Sequence, residues 1–369
     1  MLNRHDISSK DITMIQIKII FCYILFIATL LLPTGKAFAS SGDTEELDVS
    51  EFIMSHTSDS YNWHIADYKD KHYSIPLPII LYSTKSGFHC FLSSKFWHGH
   101  SYKGFKIAEE GAYKGKIVEI DESGTHLEEH PIDFSMKRSI IGMIFSCILI
   151  IWLFVYFGKQ AGKFIDTAPK GIYAFFEPMI LFVRDQIAKP SIGEQKYQKF
   201  LPLLLTLFMF IIINNILGLI PIFPFGANVT GTISITMALA LIAMFTINFY
   251  ASKDYWKHVF NPEVPMFMKF PIPIMQSIEI IGLILKPAVL MIRLFANIMA
   301  GHLVISAFIV LIFIFTNMFG PSVGAGVSVF SVIFGTVMTF LEILVAAIQA
   351  YIFTILTAIF IGLAIEENH

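Results

Sequence analysis

Residues 274–319 read IMQSIEIIGLILKPAVLMIRLFANIMAGHLVISAFIVLIFIFTNMF, an apolar run interrupted by a few polar side chains. A helix needs about 20 apolar residues to cross a hydrocarbon core about 30 Å thick, so this run exceeds a perpendicular crossing. We therefore expect a strongly tilted helix that stays in the membrane. A second long apolar run follows at residues 327–365. Gly320-Pro321 predicts the turn of a helical hairpin, loosened by Gly324 and Gly326.

The composition is that of a membrane protein. Of the 369 residues, 55% are hydrophobic and only 15% are charged, which is too apolar for a soluble domain of this length. The formal net charge is -2 and no basic block occurs, so nothing indicates nucleic acid binding. The 3 cysteines show no CxxC spacing and predict neither a disulfide framework nor a zinc site.

Three further apolar runs, at residues 139–157, 201–222 and 232–250, complete a predicted set of five membrane-embedded helices. Lysines follow the first and third runs, and the positive-inside rule assigns those flanks to the cytoplasm. Five crossings then leave the C-terminus cytoplasmic. Between the first two spans, residues 171–189 form an amphipathic connector that we expect on the membrane surface. The predicted fold is an all-α polytopic membrane domain, residues 139–369.

The residues before the first span divide into two parts. Residues 1–39 have a basic start, an apolar run and Ala37-Phe38-Ala39, which predicts a cleaved signal peptide. An uncleaved first transmembrane helix is the alternative. Residues 40–138 predict a small extracytoplasmic polar region with some β structure. It holds most of the histidines, which we interpret as scattered surface residues, with a metal-binding or pH-sensing patch as the alternative.

Arg293 is the only arginine inside an apolar span. A guanidinium at the bilayer centre costs about 2.5 to 3.5 kcal/mol on insertion scales, and it cannot lose its proton to avoid that cost. A structural ion pair or snorkelling to the interface would also explain such a residue. Its distance from both ends of the predicted helix argues against snorkelling, and a functional role is the hypothesis that we favour.

Helical spacing sorts the polar neighbours of Arg293 by face. Glu279, Lys286 and Arg293 are seven residues apart and share one face, with Asn297 one turn beyond. His302 follows Arg293 by nine residues and lies on the opposite face. One helix therefore carries a fixed cation on one side and a titratable group on the other.

The second helix of the predicted hairpin contributes Glu342 and Gln349, which are seven residues apart and share a face. Folding at the turn places His302 and Glu342 at similar depth, and an acid–histidine pair inside a membrane is typical of a proton relay. Each residue alone would also fit a satisfied buried polar group. We expect Gln349 to reach towards Arg293 and orient it by hydrogen bonding.

Four motifs resemble subunit a of the F-type ATP synthase. They are FLP (200–202), NILGLIP (215–221), LKPAVLMIRLFANIMAG (285–301) and QAYIF (349–353), and the resemblance covers residues 139–369. It implies that Arg293 is the essential arginine, with Asn297, Gln349 and Glu279 in supporting positions. One departure is that His302 and Glu342 stand where the best-known bacterial pattern has the acid first and the histidine second, so the order of proton transfer stays open. The other is the polar region of residues 40–138.

The resemblance also implies a mechanism and a location. A ring of c subunits would turn against this chain, which would provide two offset half-channels: His302, Glu342 and Ser306 on the outer side, Glu279 and Gln276 on the inner side. The implied partners are the c ring, b-type peripheral stalk subunits, the remaining ATP synthase subunits and the lipid bilayer. No cofactor or metal is implied, and ATP chemistry belongs to other subunits. The implied location is a bacterial inner membrane, with the mature N-terminus outside the cytoplasm.

Two other classes of protein also place charges at mid-membrane. A secondary transporter should show internal repeats or broken helices in corresponding halves, and the sequence has no such repeat. An intramembrane enzyme should show a motif such as GxSxG or HExxH in a span, and neither occurs. Co-purification with a ring of small proteolipids would separate the synthase subunit from both.

Overall fold

The computed structural model describes residues 59–68, 71–84, 86–108, 113, 115–120, 131–161, 170–220, 226–260 and 274–366. All of them belong to Val49–His369, the second of the two units into which the chain divides. The predicted signal peptide, residues 1–39, lies outside the described residues.

The membrane domain is helical, which confirms the predicted fold class. In chain order its described helices are α1 (Arg138–Ala161), α2 (Ile172–Phe182), α3 (Lys189–Ile192), α4 (Tyr197–Gly218), α5 (Ile233–Tyr250), α6 (Lys253–Phe260), α7 (Ile274–Phe319) and α8 (Pro321–Ile365). A π-helical stretch, Val183–Ala188, joins α2 to α3. Within the described residues, five helices are long and apolar enough to cross a membrane: α1, α4, α5, α7 and α8.

The turn between α7 and α8 is tighter than the sequence predicts. Gly320 alone makes it, with a φ of 88°, and α8 begins at Pro321 instead of residue 327. Proline suits the first position of a helix because its missing N–H would have no partner there. The prediction that Gly324 and Gly326 loosen the turn is wrong, since both are helical. Gly324 instead lets α8 pack directly against Thr316 of α7.

The hairpin of α7 and α8 dominates the membrane domain. Its helices contain 46 and 45 residues, and each is therefore about 68 Å long at 1.5 Å per residue. That length is about twice the hydrocarbon thickness of a bilayer, so the helices must tilt strongly or extend beyond it. The C-terminal half of α8 is buried against α3 and α4, with Phe353, Thr357 and Ile361 fully enclosed. This packing holds one end of the hairpin.

The described residues before α1 form short antiparallel strands. They are β1 (Asn62–Tyr68), β2 (Lys71–Pro76), β3 (Pro78–Ser83), β4 (Gly87–Leu92), β5 (Phe105–Ile107), β6 (Ile117–Glu119) and β7 (Ile132–Asp133). The pairs are β1 with β2, β3 with both β4 and β7, and β5 with β6. The Tyr61 hydroxyl donates a 2.5 Å hydrogen bond to Asp133; burial and this bond raise the pKa of Tyr61. We call this part of the chain the strand region.

Candidate functional site

His302 and Glu342 meet across the hairpin. His302 Nε2 lies 3.9 Å from Glu342 Oε1, and the Glu342 side chain is 4% exposed. Both carboxylate oxygens of Glu342 are buried without a hydrogen-bond partner among the residues that the structure describes. The sequence predicts that these two residues lie at similar depth, and they do. A carboxyl group and an imidazole this close can exchange a proton through one bridging water.

Gly301 creates the space that Glu342 occupies. A Cβ at position 301 would stand 2.5 Å from Glu342 Oε1 and 2.7 Å from its Cδ. Contacts that short are not compatible with an unshifted side chain. The carboxyl group therefore packs directly on the backbone of α7 because residue 301 has no side chain.

Asn297 and Gln349 form the second polar contact between α7 and α8. Asn297 Nδ2 donates a 2.9 Å hydrogen bond to Gln349 Oε1. Gln349 is 1% exposed, and its Nε2 has no hydrogen-bond partner among the described residues. The predicted hydrogen bond between Gln349 and Arg293 is not formed in this structure; the Gln349 oxygen instead accepts from Asn297, one turn further along α7.

Arg293 lies one turn from Asn297 and is half-buried. Within the described residues its guanidinium has no hydrogen bond or ion pair. Its five N–H donors and its permanent positive charge therefore have no partner among the described residues of this chain. Such a group can bind an anionic partner that is brought against α7.

The remaining predicted site residues lie towards the two ends of α7. Glu279 lies near Tyr255 of α6: burial and the Glu279 carboxylate raise the pKa of that tyrosine. Lys286 Nζ lies 5.3 Å from the centre of the Phe360 ring. A small cavity of about 30 Å³ between α5, α6, α7 and α8 is lined by Tyr255 and Lys286. Gln276 and Ser306 are half-buried.

Sequence reasoning missed a second group of polar residues, close to the His302–Glu342 pair. Asp59, Arg138, Asn228 and Thr232 line a cleft beside Met299 of α7. Arg138 is recognisable in the sequence as the charge that directly precedes the first apolar run. Asp59, Asn228 and Thr232 cannot be recognised from the sequence in this way. The cleft brings together segments of the chain that are up to 240 residues apart.

The described geometry defines a class of protein: a polytopic helical membrane protein with ionisable groups inside a long hairpin, the arrangement found along ion pathways. A family model described as "ATP synthase A chain" matches residues 140–362. The chain belongs to this family. A second model, described as "Domain of unknown function (DUF8433)", matches residues 52–137 and thus covers the strand region.

Curated relatives agree with the family match. ATP synthase subunit a of Chloroherpeton thalassium is 36% identical over 251 residues, which cover 66% of this chain and 71% of that protein. ATP synthase subunit a of Myxococcus xanthus is 34% identical over 267 residues, or 70% of this chain and 82% of that protein. ATP synthase subunit a 2 of Chlorobium luteolum is 41% identical over 240 residues, or 63% and 66% of the two chains.

Proposed function

We propose that this chain conducts protons in the membrane sector of an ATP synthase, where it provides two offset half-channels separated by Arg293. The observation that carries the proposal is the pairing of His302 with Glu342, 3.9 Å apart inside the same hairpin that holds an uncommitted arginine. Its proposed partners are a ring of c subunits facing α7, b-type peripheral stalk subunits and the other subunits of the synthase.

The outer half-channel is formed by His302, Glu342 and Ser306. The buried carboxyl group of Glu342 can receive a proton and pass it across the 3.9 Å gap to His302, or the reverse. The inner half-channel is formed by Glu279 and Gln276, near the cavity that Tyr255 lines. The two paths do not connect, so a proton passes between them only on a carrier.

Arg293 makes the carrier release its proton. A carboxylate on the rotating ring is stabilised as an anion when it faces a guanidinium, so its proton leaves to the inner half-channel. After rotation the anion takes another proton from the outer half-channel. The permanent charge of Arg293 also repels protons that would pass straight through. Each charge that crosses gains about 2.3 kcal/mol per 100 mV, so rotation must combine several protons for one ATP.

The proposed topology places the strand region and the mature N-terminus, after removal of residues 1–39, outside the cytoplasm of a bacterial inner membrane. The C-terminus is cytoplasmic. Lys253 and Lys257 of α6 support this orientation because basic residues accumulate in cytoplasmic loops.

Replacing the arginine tests the proposal directly. We expect Arg293→Ala to abolish ATP-driven proton pumping in inverted membrane vesicles while the complex still assembles, because the ring carboxylate loses its counter-charge. Arg184→Ala is the matched control. It removes a guanidinium that pairs with the adjacent Asp185 outside the five spans, and it should pump normally. Normal pumping by Arg293→Ala would overturn the assignment.

Replacing the buried acid tests the relay. We expect Glu342→Gln to lower proton flux more than it lowers assembly, because the amide keeps the size of the side chain but cannot carry a proton between water and His302. Glu366→Gln makes the same change at the exposed end of α8 and should behave as the parent. Full activity of Glu342→Gln would remove this acid from the path.

A further inference from the structure

The cleft beside Met299 lies where the strand region meets the membrane helices. It is open to solvent, has a volume of about 240 Å³ and is lined by Asp59, Arg138, Asn228, Thr232, Phe295 and Met299. Asp59 belongs to the strand region, just before β1, and Arg138 begins α1. Asn228 and Thr232 lie in the connection before α5, and Phe295 and Met299 lie in α7. Asp59 and Arg138 lie outside the residues 140–362 that match the ATP synthase family.

Hydrogen bonds between these segments hold the cleft together. The Ser139 amide at the start of α1 donates to Asp59 Oδ1 over 3.1 Å, and the hydroxyls of Ser139 and Thr232 are 2.9 Å apart. Asn228 Oδ1 accepts a 2.8 Å bond from the Gly231 amide, and its Nδ2 lies 3.7 Å from Met299 Sδ. The polar walls are thus anchored to α1, α5 and α7.

The floor of the cleft lies one helical turn from the acid–histidine pair. Met299 precedes His302 by three residues, a rise of about 4.5 Å on the same side of α7. Arg138 lines the same cleft as Met299. Because a water occupies about 30 Å³ of liquid and needs two to four polar partners, the cleft has both the room and the polar groups for several waters.

We infer that this cleft is the outer mouth of the proton path to His302 and Glu342, and that Asp59 makes the strand region part of its wall, beside Arg138 at the start of α1. The inference rests on the proposed function, because it needs protons to reach that pair. Its chemistry is that of a hydrated vestibule: the Asp59 carboxylate attracts protons, and the positive charge of Arg138, which lines the same cleft, keeps the net charge low. The strand region is then a functional part of the subunit and not only an appendage.

Thiol labelling from one side of the membrane tests the inference. In a chain whose cysteines at 22, 90 and 147 are replaced by serine, Met299→Cys, Thr232→Cys and Asp59→Cys each place a thiol in the cleft. Right-side-out vesicles holding the whole synthase are treated with a charged, membrane-impermeant methanethiosulfonate and quenched. ATP-driven proton pumping is then measured after the membranes are inverted.

We expect each cleft variant to react from the outer side and to lose proton pumping, because a bulky charged adduct blocks the mouth. Met237→Cys is the matched control: Met237 lies on α5, is 48% exposed and does not line the cleft. A thiol facing lipid does not ionise readily, so this variant should stay unlabelled and active. Having three cleft positions keeps the test valid if one variant fails to assemble.

Two results would overturn the inference. One is labelling of Met299→Cys and Thr232→Cys with unchanged pumping; the other is no labelling of either from the outer side. Labelling and block at 299 and 232 but not at 59 would refute the participation of the strand region. All of these outcomes are distinct from a failure of the proposed function, which is decided by Arg293→Ala in the absence of any reagent.

Discussion

Glu342 combines deep burial with the lack of any hydrogen-bond donor to its carboxylate oxygens among the described residues. A carboxylate without such donors is costly in an apolar interior, and buried acids are usually paired. The nearest basic group, His302, is 3.9 Å away, which is too far for a direct hydrogen bond. At the scale of single residues, this gap is what a proton relay bridged by water requires.

The fit of Glu342 against Gly301 leads to a prediction. We expect Gly301→Ala to displace the Glu342 carboxyl group, because the added Cβ would stand 2.5 Å from Oε1. Overpacking of this kind costs about 1 to 3 kcal/mol. The proton pumping rate of inverted vesicles should fall while the amount of assembled complex changes less.

Gly282→Ala controls for the general effect of adding a methyl group to α7. A Cβ at position 282 meets no atom within 4 Å, and alanine favours a helix over glycine by about 1 kcal/mol. Pumping by Gly282→Ala should match the parent. Equal losses in the two variants would show that the space beside Glu342 is not the cause.

At the scale of elements, the end of α8 is fixed more firmly than its start. Residues of its C-terminal half contact α3 and α4, the Ser252 amide donates to the Ala364 carbonyl over 2.8 Å, and Lys196 Nζ donates to the Ile365 carbonyl over 3.2 Å. The first half of α8 carries many exposed apolar side chains. The buried end therefore anchors the half of α8 that carries Gln349.

Gly362 should be critical for this anchoring. A Cβ at position 362 would collide with the backbone carbonyl of Ser191 in α3, and backbone yields less easily than a side chain. We expect Gly362→Ala to lower the thermal stability of the detergent-solubilised complex, by the equivalent of about 1 to 3 kcal/mol. A thermal shift assay measures this loss. Gly335→Ala, on the same helix with nothing within 4 Å, should not lose stability.

At the scale of the whole molecule, the strand region and the membrane domain are connected by backbone as well as side chains. The Arg138 amide donates to the Ser60 carbonyl over 3.2 Å, and Trp63 of β1 belongs to the same apolar cluster as the membrane helices. The strand region should therefore stay docked on the end of the domain where α1 starts, the outer end in the proposed topology.

The native cysteines can test that topology. Cys90 in β4 is exposed and free, whereas Cys147 lies within α1. We predict that a membrane-impermeant maleimide labels Cys90 in right-side-out vesicles but not in sealed inverted vesicles. The variant Cys90→Ser should lose the signal, which mass spectrometry of labelled peptides would verify. Labelling of Cys90 only in inverted vesicles would reverse the proposed orientation.

The amino-acid sequence by itself determined the class of fold, the existence of five membrane helices and the polar residues worth examining. These properties are local: hydrophobicity over about 20 residues predicts a span, and a spacing of seven residues predicts a shared helical face. Arg293, His302 and Glu342 are conspicuous because charge is rare in such spans. The sequence also sufficed to predict that the last two meet, because a hairpin with one turn allows only one approximate register.

Only the tertiary structure decided which atoms meet. It assigned the Gln349 oxygen to Asn297 instead of Arg293, showed that Gly301 makes room for Glu342, and brought Asp59 and Arg138 into one cleft with Met299. Such contacts join segments far apart in the chain. They depend on helix rotation and on packing differences of an ångström or two, which no periodicity in the sequence specifies.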